Sequence, residues 1–200
     1  MARLRPTRST SSSRPDGDAA ALINRVGALL LVAHDSMAEA AGRAMGRGAQ
    51  APAALVALRE FLEDATIQQL SDVIGLTHSA TVRLVDRLAA DGYVLRQGGG
   101  RDGRTVAIRL TKAGAAAAER VRQARRGAVE ALLQSLNDQE RRALAGQVDM
   151  LLVGVTRRRL ESRARGEPVG GWMCRLCDLG ACGRPEGRCP VAATPAAETS

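Results

Sequence analysis

Aromatic residues are almost missing from this chain: one Trp, one Tyr and one Phe in 200 residues, 2% in all. A core with so few rings must rest on Ala, Leu and Val. Ala and Leu are strong helix formers, so the composition points to helices. Lysine is scarcer still, with Lys112 the only one, and Arg supplies the rest of the 29 basic residues. No uninterrupted apolar run approaches the ~18–20 residues of a membrane span. The stretch from Ala21 to Ala33 is broken by Asn24 and Arg25. The opening, MARLRPTRSTSSSRPDGD, is basic but has no apolar segment of the kind that directs secretion. These absences point to a soluble, cytoplasmic protein with no membrane partner. Nothing in the chain signals catalysis as specifically as it signals binding, so we expect no enzyme. Cysteine is absent before residue 174, and all four cysteines then fall within one short segment.

What is present is charge and a local order of elements. The formal net charge is +8 and the pI about 10.7, a balance that suits a polyanionic partner. Charge alone decides little in an Arg- and Ala-heavy chain, so position must decide. Arg83, Arg87, Arg96, Arg101 and Arg104 all fall between Thr66 and Thr111. That segment reads as a short helix, a turn at Gly75, a second helix capped by Thr77, and a glycine-rich hairpin, QGGGRDGR, between two short strands. The first helix spans roughly Thr66 to Val73, with Ile67 and Leu70 inward. In the second helix Thr81, Leu84, Val85 and Leu88 form one apolar stripe, with His78, Ser79, Val82, Arg83 and Asp86 on or near the other face. Tyr93, Val94 and Leu95 make the first strand. Val106, Ile108 and Leu110 alternate inward along the second.

The rest organises around that unit. Residues 1–17 read as a disordered basic arm. Residues 18–45 form a helix with Asp18 as its N-cap. Pro52 opens the next helix from its first turn, and with it the helix–turn–helix and hairpin make one unit spanning 52–111. A second long helical stretch covers 111–162 and breaks near Asn137-Asp138. Residues 163–200 are a Cys-rich tail. The fold class is mainly α with a small β-wing: a winged helix-turn-helix with long N- and C-terminal dimerisation helices.

Such a unit reads duplex DNA by placing the start of its second helix in the major groove. His78 and Ser79 stand at that start, with Val82, Arg83 and Arg87 one and two turns on. Arg101 and Arg104 in the hairpin are placed for a minor groove, where negative potential attracts guanidinium groups. Asp102 can hold a guanidinium in pose. Asp86 would oppose phosphates unless Arg83 or Arg87 neutralises it.

The run LVDRLAADGYVLR followed by RDGRTVAIRLTKAG resembles the MarR family of winged-helix transcriptional regulators. Asp102, Arg104, Leu110, Thr111 and Gly114 match the family's wing pattern, and the likeness covers about Asp18 to Ser162. The resemblance implies a homodimer based on the terminal helices, bound to a palindromic operator and usually acting as a repressor. It implies that the residues after Thr77 read the major groove and that Arg104 enters the minor groove. Family members often release DNA when a small aromatic acid or phenol binds. Here the few aromatics give a stacking pocket little support, and the effector stays unknown. His34 reads as an ordinary surface or core histidine.

The tail reads GWMCRLCDLGACGRPEGRCPVA, with Cys174, Cys177, Cys182 and Cys189 at spacing Cys-x2-Cys-x4-Cys-x6-Cys. In a reducing compartment such a cluster more often binds metal or does redox chemistry than forms structural disulfides. Zinc held by four thiolates is the plainest assignment. An iron–sulfur cluster is the sharper one, since Cys189-Pro190 is like the Cys-Pro that closes some cluster motifs. A thiol–disulfide switch at Cys174 and Cys177 is a third. Gly180, Gly183 and Gly187 would supply turns. Directly behind a dimerisation helix, the cluster is expected to couple metal or redox state to the spacing of the two reading helices. The competing reading of the whole chain is a protein-interaction or metal-binding module on a winged-helix scaffold that does not bind DNA.

Overall fold

Short polar side chains set the helix boundaries. The protein is described by a computed structural model covering residues 14–45, 50–98 and 106–195. In chain order the elements are α1 (Arg14–Met45), α2 (Gln50–Glu60), α3 (Ile67–Ile74), α4 (His78–Ala90), β1 (Val94–Gly98), β2 (Val106–Leu110), α5 (Lys112–Leu133), α6 (Asp138–Ala164) and the single turn α7 (Pro190–Ala193). Thr66 and Gln69 form a reciprocal capping box at the start of α3. The hydroxyl of Thr77 accepts from Ala80 N at 3.2 Å, and that of Thr111 from Gly114 N at 3.0 Å. Asn137 and Glu140 form a second box at α6. A cap of this kind contributes about 1 kcal/mol, because it satisfies a backbone donor that the helix cannot.

One boundary departs from the sequence reading. α1 begins at Arg14, so Asp18 lies inside the helix and is not its N-cap, and residues 14–17 are helical rather than arm. Pro15 does not stop the helix because it sits in the first turn, where a missing N–H has no partner to lose. The remainder of the expected arm lies outside the described residues.

The core gathers on α2, which is buried from Ala51 through Leu58. Around it pack Leu70 and Val73 of α3, Leu84, Val85 and Leu88 of α4, Val94 and Ile108 of the sheet, and Ala117, Ala118 and Val121 of α5. Alanines let these helices approach closely, while each buried Leu or Val contributes roughly 1.5–3 kcal/mol. β1 and β2 pair antiparallel with Val94 opposite Leu110 and Arg96 opposite Ile108. The root of this hairpin is pinned from outside. Ile108 N donates to Ala65 O at 2.8 Å, and the Arg109 guanidinium grips both carboxylate oxygens of Asp64. Of the three β2 residues expected to face inward, Ile108 is buried and Leu110 half-buried, but Val106 is exposed. It stands at the far end of the hairpin, past the last core side chain. Tyr93 precedes β1 rather than joining it.

Two helices carry apolar surface that the protomer does not cover. Leu22, Ile23, Leu29, Leu30, Leu31 and Val32 of α1 are exposed, as are Met150 and Leu151 of α6. By length and composition alone, Gly17–Met45 suffices to cross a bilayer. The sequence reading by uninterrupted runs missed this, because Asn24 and Arg25 break the run without breaking the helix.

Candidate nucleic-acid interface

α4 is amphipathic in the sense that matters for reading DNA. Thr81, Leu84, Val85 and Leu88 are buried, while His78, Ser79, Arg83 and Arg87 are exposed and Val82 is half-buried. The turn before it is built by Gly75, whose φ of 73° lies in the left-handed region, and by Leu76, half-buried against the core. The cap at Thr77 leaves the outer face of the first turn clear for His78 and Ser79. Asp86 is neutralised, but by neither expected partner. Arg96 of β1 reaches across and pairs with it at 2.8 Å. Recognition helix and wing strand are thereby tied through a side-chain pair that runs between elements, which sequence spacing does not reveal. Arg101, Asp102 and Arg104 lie outside the described residues.

At the base of the wing, Thr111 Oγ1 donates to Gly92 O at 2.7 Å. A Cβ on Gly114 would meet Tyr93 O at 1.9 Å. Only glycine lets α5 start this close to the strand, which gives the Thr-x-x-Gly spacing its physical reason.

A sequence model of the MarR family matches residues 46–105. Over that stretch the chain is similar to the MarR family, and its fold is a winged helix-turn-helix. Solved structures agree on the fold. The YusO protein of Bacillus subtilis superposes with a TM-score of 0.61 at 20% identity, over 70% of this chain and 97% of its own. A MarR family protein of Bacillus stearothermophilus gives 0.55 at 26% identity, over 71% and 96%. Wild-type MarR of E. coli in its apo form gives 0.52 at 23% identity, over 62% and 95%. No curated protein is significantly similar in sequence. MarR-family regulators are non-enzymatic DNA-binding proteins.

The Cys-rich tail is not an appendage to this winged helix-turn-helix unit. It folds back onto the turn of the helix-turn-helix. Trp172 N donates to Val73 O at 2.8 Å, and its ring meets Phe61 edge-on with centroids 6.2 Å apart. Gly171 lies against Gly75, so close that a Cβ on residue 75 would fall 2.4 Å from Gly171 N. Arg159 of α6 donates to Gly171 O. Farther along, Leu179 N donates to Glu60 Oε2 at 3.0 Å, and Asp178 pairs with Arg122 of α5. Arg122 also reaches Glu60 at 3.2 Å and Glu119 at 2.9 Å. It is a hub joining α2, α5 and the tail. The Arg122 guanidinium beside Asp178 holds that carboxyl below its usual range, and so do backbone N–H groups at Ala181 and Gly180.

All four cysteines are free of disulfides; Cys189 is buried and the others half-buried. The thiols stand as two pairs. The neighbouring Cys174 thiol, with help from Arg125, pulls the Cys177 thiol down to about 6, and Cys174 is pushed up in turn. Cys182 interacts with Cys189, and it is raised mainly by burial. Each pair also feels the other, Cys174 through Cys189 and Cys182 through Cys177. Among the described residues, no three His, Cys, Asp or Glu side chains stand closed to ligand spacing. Gly180, Gly183 and Gly187 all lie in turns, as expected, and the last two are left-handed.

Proposed function

We propose that this protein is a sequence-specific, DNA-binding transcriptional regulator that acts in the cytoplasm as a homodimer on a palindromic operator, as a repressor. The observation that carries the reading is α4: its inner face is buried, while its capped first turn presents His78, Ser79 and Arg83 to the outside. Small polar groups at base edges, with arginines for guanine or phosphate behind them, are what major-groove docking needs. Arg87 serves the phosphates. From the sequence pattern, Arg101 and Arg104 enter the minor groove with Asp102 in support.

The bare leucines of α1 and the apolar residues of α6 support the dimer. An exposed stripe of this length is an interface more readily than a soluble surface. A second copy would cover it with the same stripe, as two-fold symmetry requires. Two recognition helices related by that axis would meet half-sites one helical turn apart, about 34–36 Å. Repression then needs no surface beyond the DNA contacts, because an occupied promoter is blocked.

Selection from a randomised duplex pool with the full chain tests this reading. The expected product is an inverted repeat, bound with an affinity that falls steeply with salt as counterions are released. A pool that never enriches, with weak and sequence-blind binding, would leave an interaction or metal-binding module on a winged-helix scaffold.

A further inference from the structure

We propose that Cys174, Cys177, Cys182 and Cys189 together hold one zinc ion, and that the loaded loop is a clasp closing on the turn of the helix-turn-helix. The donor set is the first argument. Cys174 and Cys177 lie on one tight turn, with Cys177 N donating to Cys174 O at 2.7 Å. Cys182 and Cys189 are brought together by the chain reversal in which Arg188 N donates to Gly183 O at 2.8 Å. The left-handed glycines at 183 and 187 permit that reversal. Cys174 lines one cavity with Arg184 and Val191, which stand two residues from Cys182 and Cys189 respectively. Binding the ion releases the thiol protons to solvent, and thiol rotation closes the set.

The spacing favours a single ion over a cluster. Zn–S bonds of about 2.3 Å in a tetrahedron put the sulfurs roughly 3.7 Å apart, a span that the tight turn from Cys174 to Cys177 can close. A cubane hands each thiolate to a different iron and spreads them farther. The surroundings suit the charge as well. One zinc with four thiolates carries a net −2. Arg184 lines the same cavity as Cys174.

The clasp follows from what the loop touches. Its first cysteine comes two residues after Trp172, which is bonded to Val73 and faces Phe61. Between its second and third cysteines lie Asp178 and Leu179, bonded to Arg122 and Glu60. A metal that fixes the loop therefore fixes both anchors on the DNA-reading unit. Control then runs through the helix-turn-helix turn, to which the tail is bonded. The metal site stands independently of DNA binding; its consequence for operator affinity rests on the function proposed above.

The test uses the full chain, purified under reducing conditions. Expected are about one zinc per chain, four thiols shielded from a thiol reagent, and thiolate-to-cobalt charge-transfer bands when zinc-free protein is titrated with Co2+ alone. Trp172 is the only tryptophan, so its emission should shift to the red when the metal is stripped and return with zinc. Cys182→Ser and Cys189→Ser should each lose zinc while the helical circular dichroism persists. Against a duplex recovered by selection, zinc-free protein should bind about 5-fold or more weakly. Four fully reactive thiols with no zinc or cobalt taken up on reconstitution would overturn the site. So would iron with sulfide. A metal whose removal leaves Trp172 unmoved would overturn the clasp. Since none of the metal readouts involves DNA, failure of the site and failure of the DNA reading are told apart.

Discussion

Replacing Gly171 by Ala asks directly whether the tail and the DNA-reading unit form one body. A Cβ at 171 would stand 2.7 Å from Gly75 N, from Ile74 C and from Val73 O. All three are backbone atoms and cannot rotate away. Gly171 is not at positive φ, so the residue itself tolerates a side chain and the whole cost is the contact. Forcing an extra carbon into a packed site costs about 1–3 kcal/mol. The nearby anchors are of similar size. The Trp172–Val73 hydrogen bond contributes roughly 0.5–1.5 kcal/mol, and the Phe61–Trp172 ring pair roughly 0.5–1.5 kcal/mol. The expected response is therefore release of residues 170–173 rather than distortion of α3. For a chain of this size, 1 kcal/mol moves the melting temperature by about 2–4 °C, so a fall of roughly 2–12 °C is expected. Trp172 emission should shift to the red and become easier to quench. Two controls bracket the result. Gly75→Ala meets the same contact from the other side and adds left-handed strain of about 1–2 kcal/mol. Gly92→Ala has φ 74° with nothing within 4 Å, so it should carry strain alone and leave Trp172 unmoved. A Gly171→Ala protein with unchanged emission and melting temperature would refute the docking.

Thr77→Ala removes the cap of α4 and should lower stability by about 1 kcal/mol, read by urea unfolding; a loss near zero would mean that Ala80 N is satisfied otherwise. The Arg109 guanidinium holds the Asp64 carboxyl below its ordinary value. Its stabilising contribution is therefore present above the unfolded carboxyl range and lost as pH falls through the folded value. Asp64→Asn should flatten the acid limb of the stability profile, and an identical limb would remove the pair from the wing's support. Arg104→Ala should weaken operator binding by more than ~1 kcal/mol and reduce the salt slope by about one; unchanged binding would take the wing out of the groove.

Local chemistry was legible in the sequence, and tertiary contact was not. Gly75, Thr77 and Thr111 announced the turn and the starts of α4 and α5, because caps and left-handed turns are decided within a few residues. The stripe of α4 was legible for the same reason. Asp18 misled, because a cap residue four positions inside a helix looks the same in sequence as one at its start. Val106 misled because alternation says nothing of where the core ends. The Arg96–Asp86 pair and the return of the tail are contacts between distant segments, with Leu179 bonded to Glu60 119 residues away. One signal was there to be used. In a chain with a single tryptophan, placed after Gly170-Gly171 and just before the first cysteine, that ring needs an apolar wall. Phe61 and the turn at Val73 supply it.

The back-folding of the tail also sets an order of events during synthesis. Residues 170–179 leave the ribosome about 60 residues after the wing is complete, a lag of roughly 3–12 s at about 5–20 residues per second. Over that interval α2 to α5 can form their core with Arg122 matched only to Glu60 and Glu119. The reading unit must then hold together on its own, and the clasp arrives on a finished fold. A part added last to a structure that already stands can be let go again without unfolding it, which is the kinetic condition for a reversible lock.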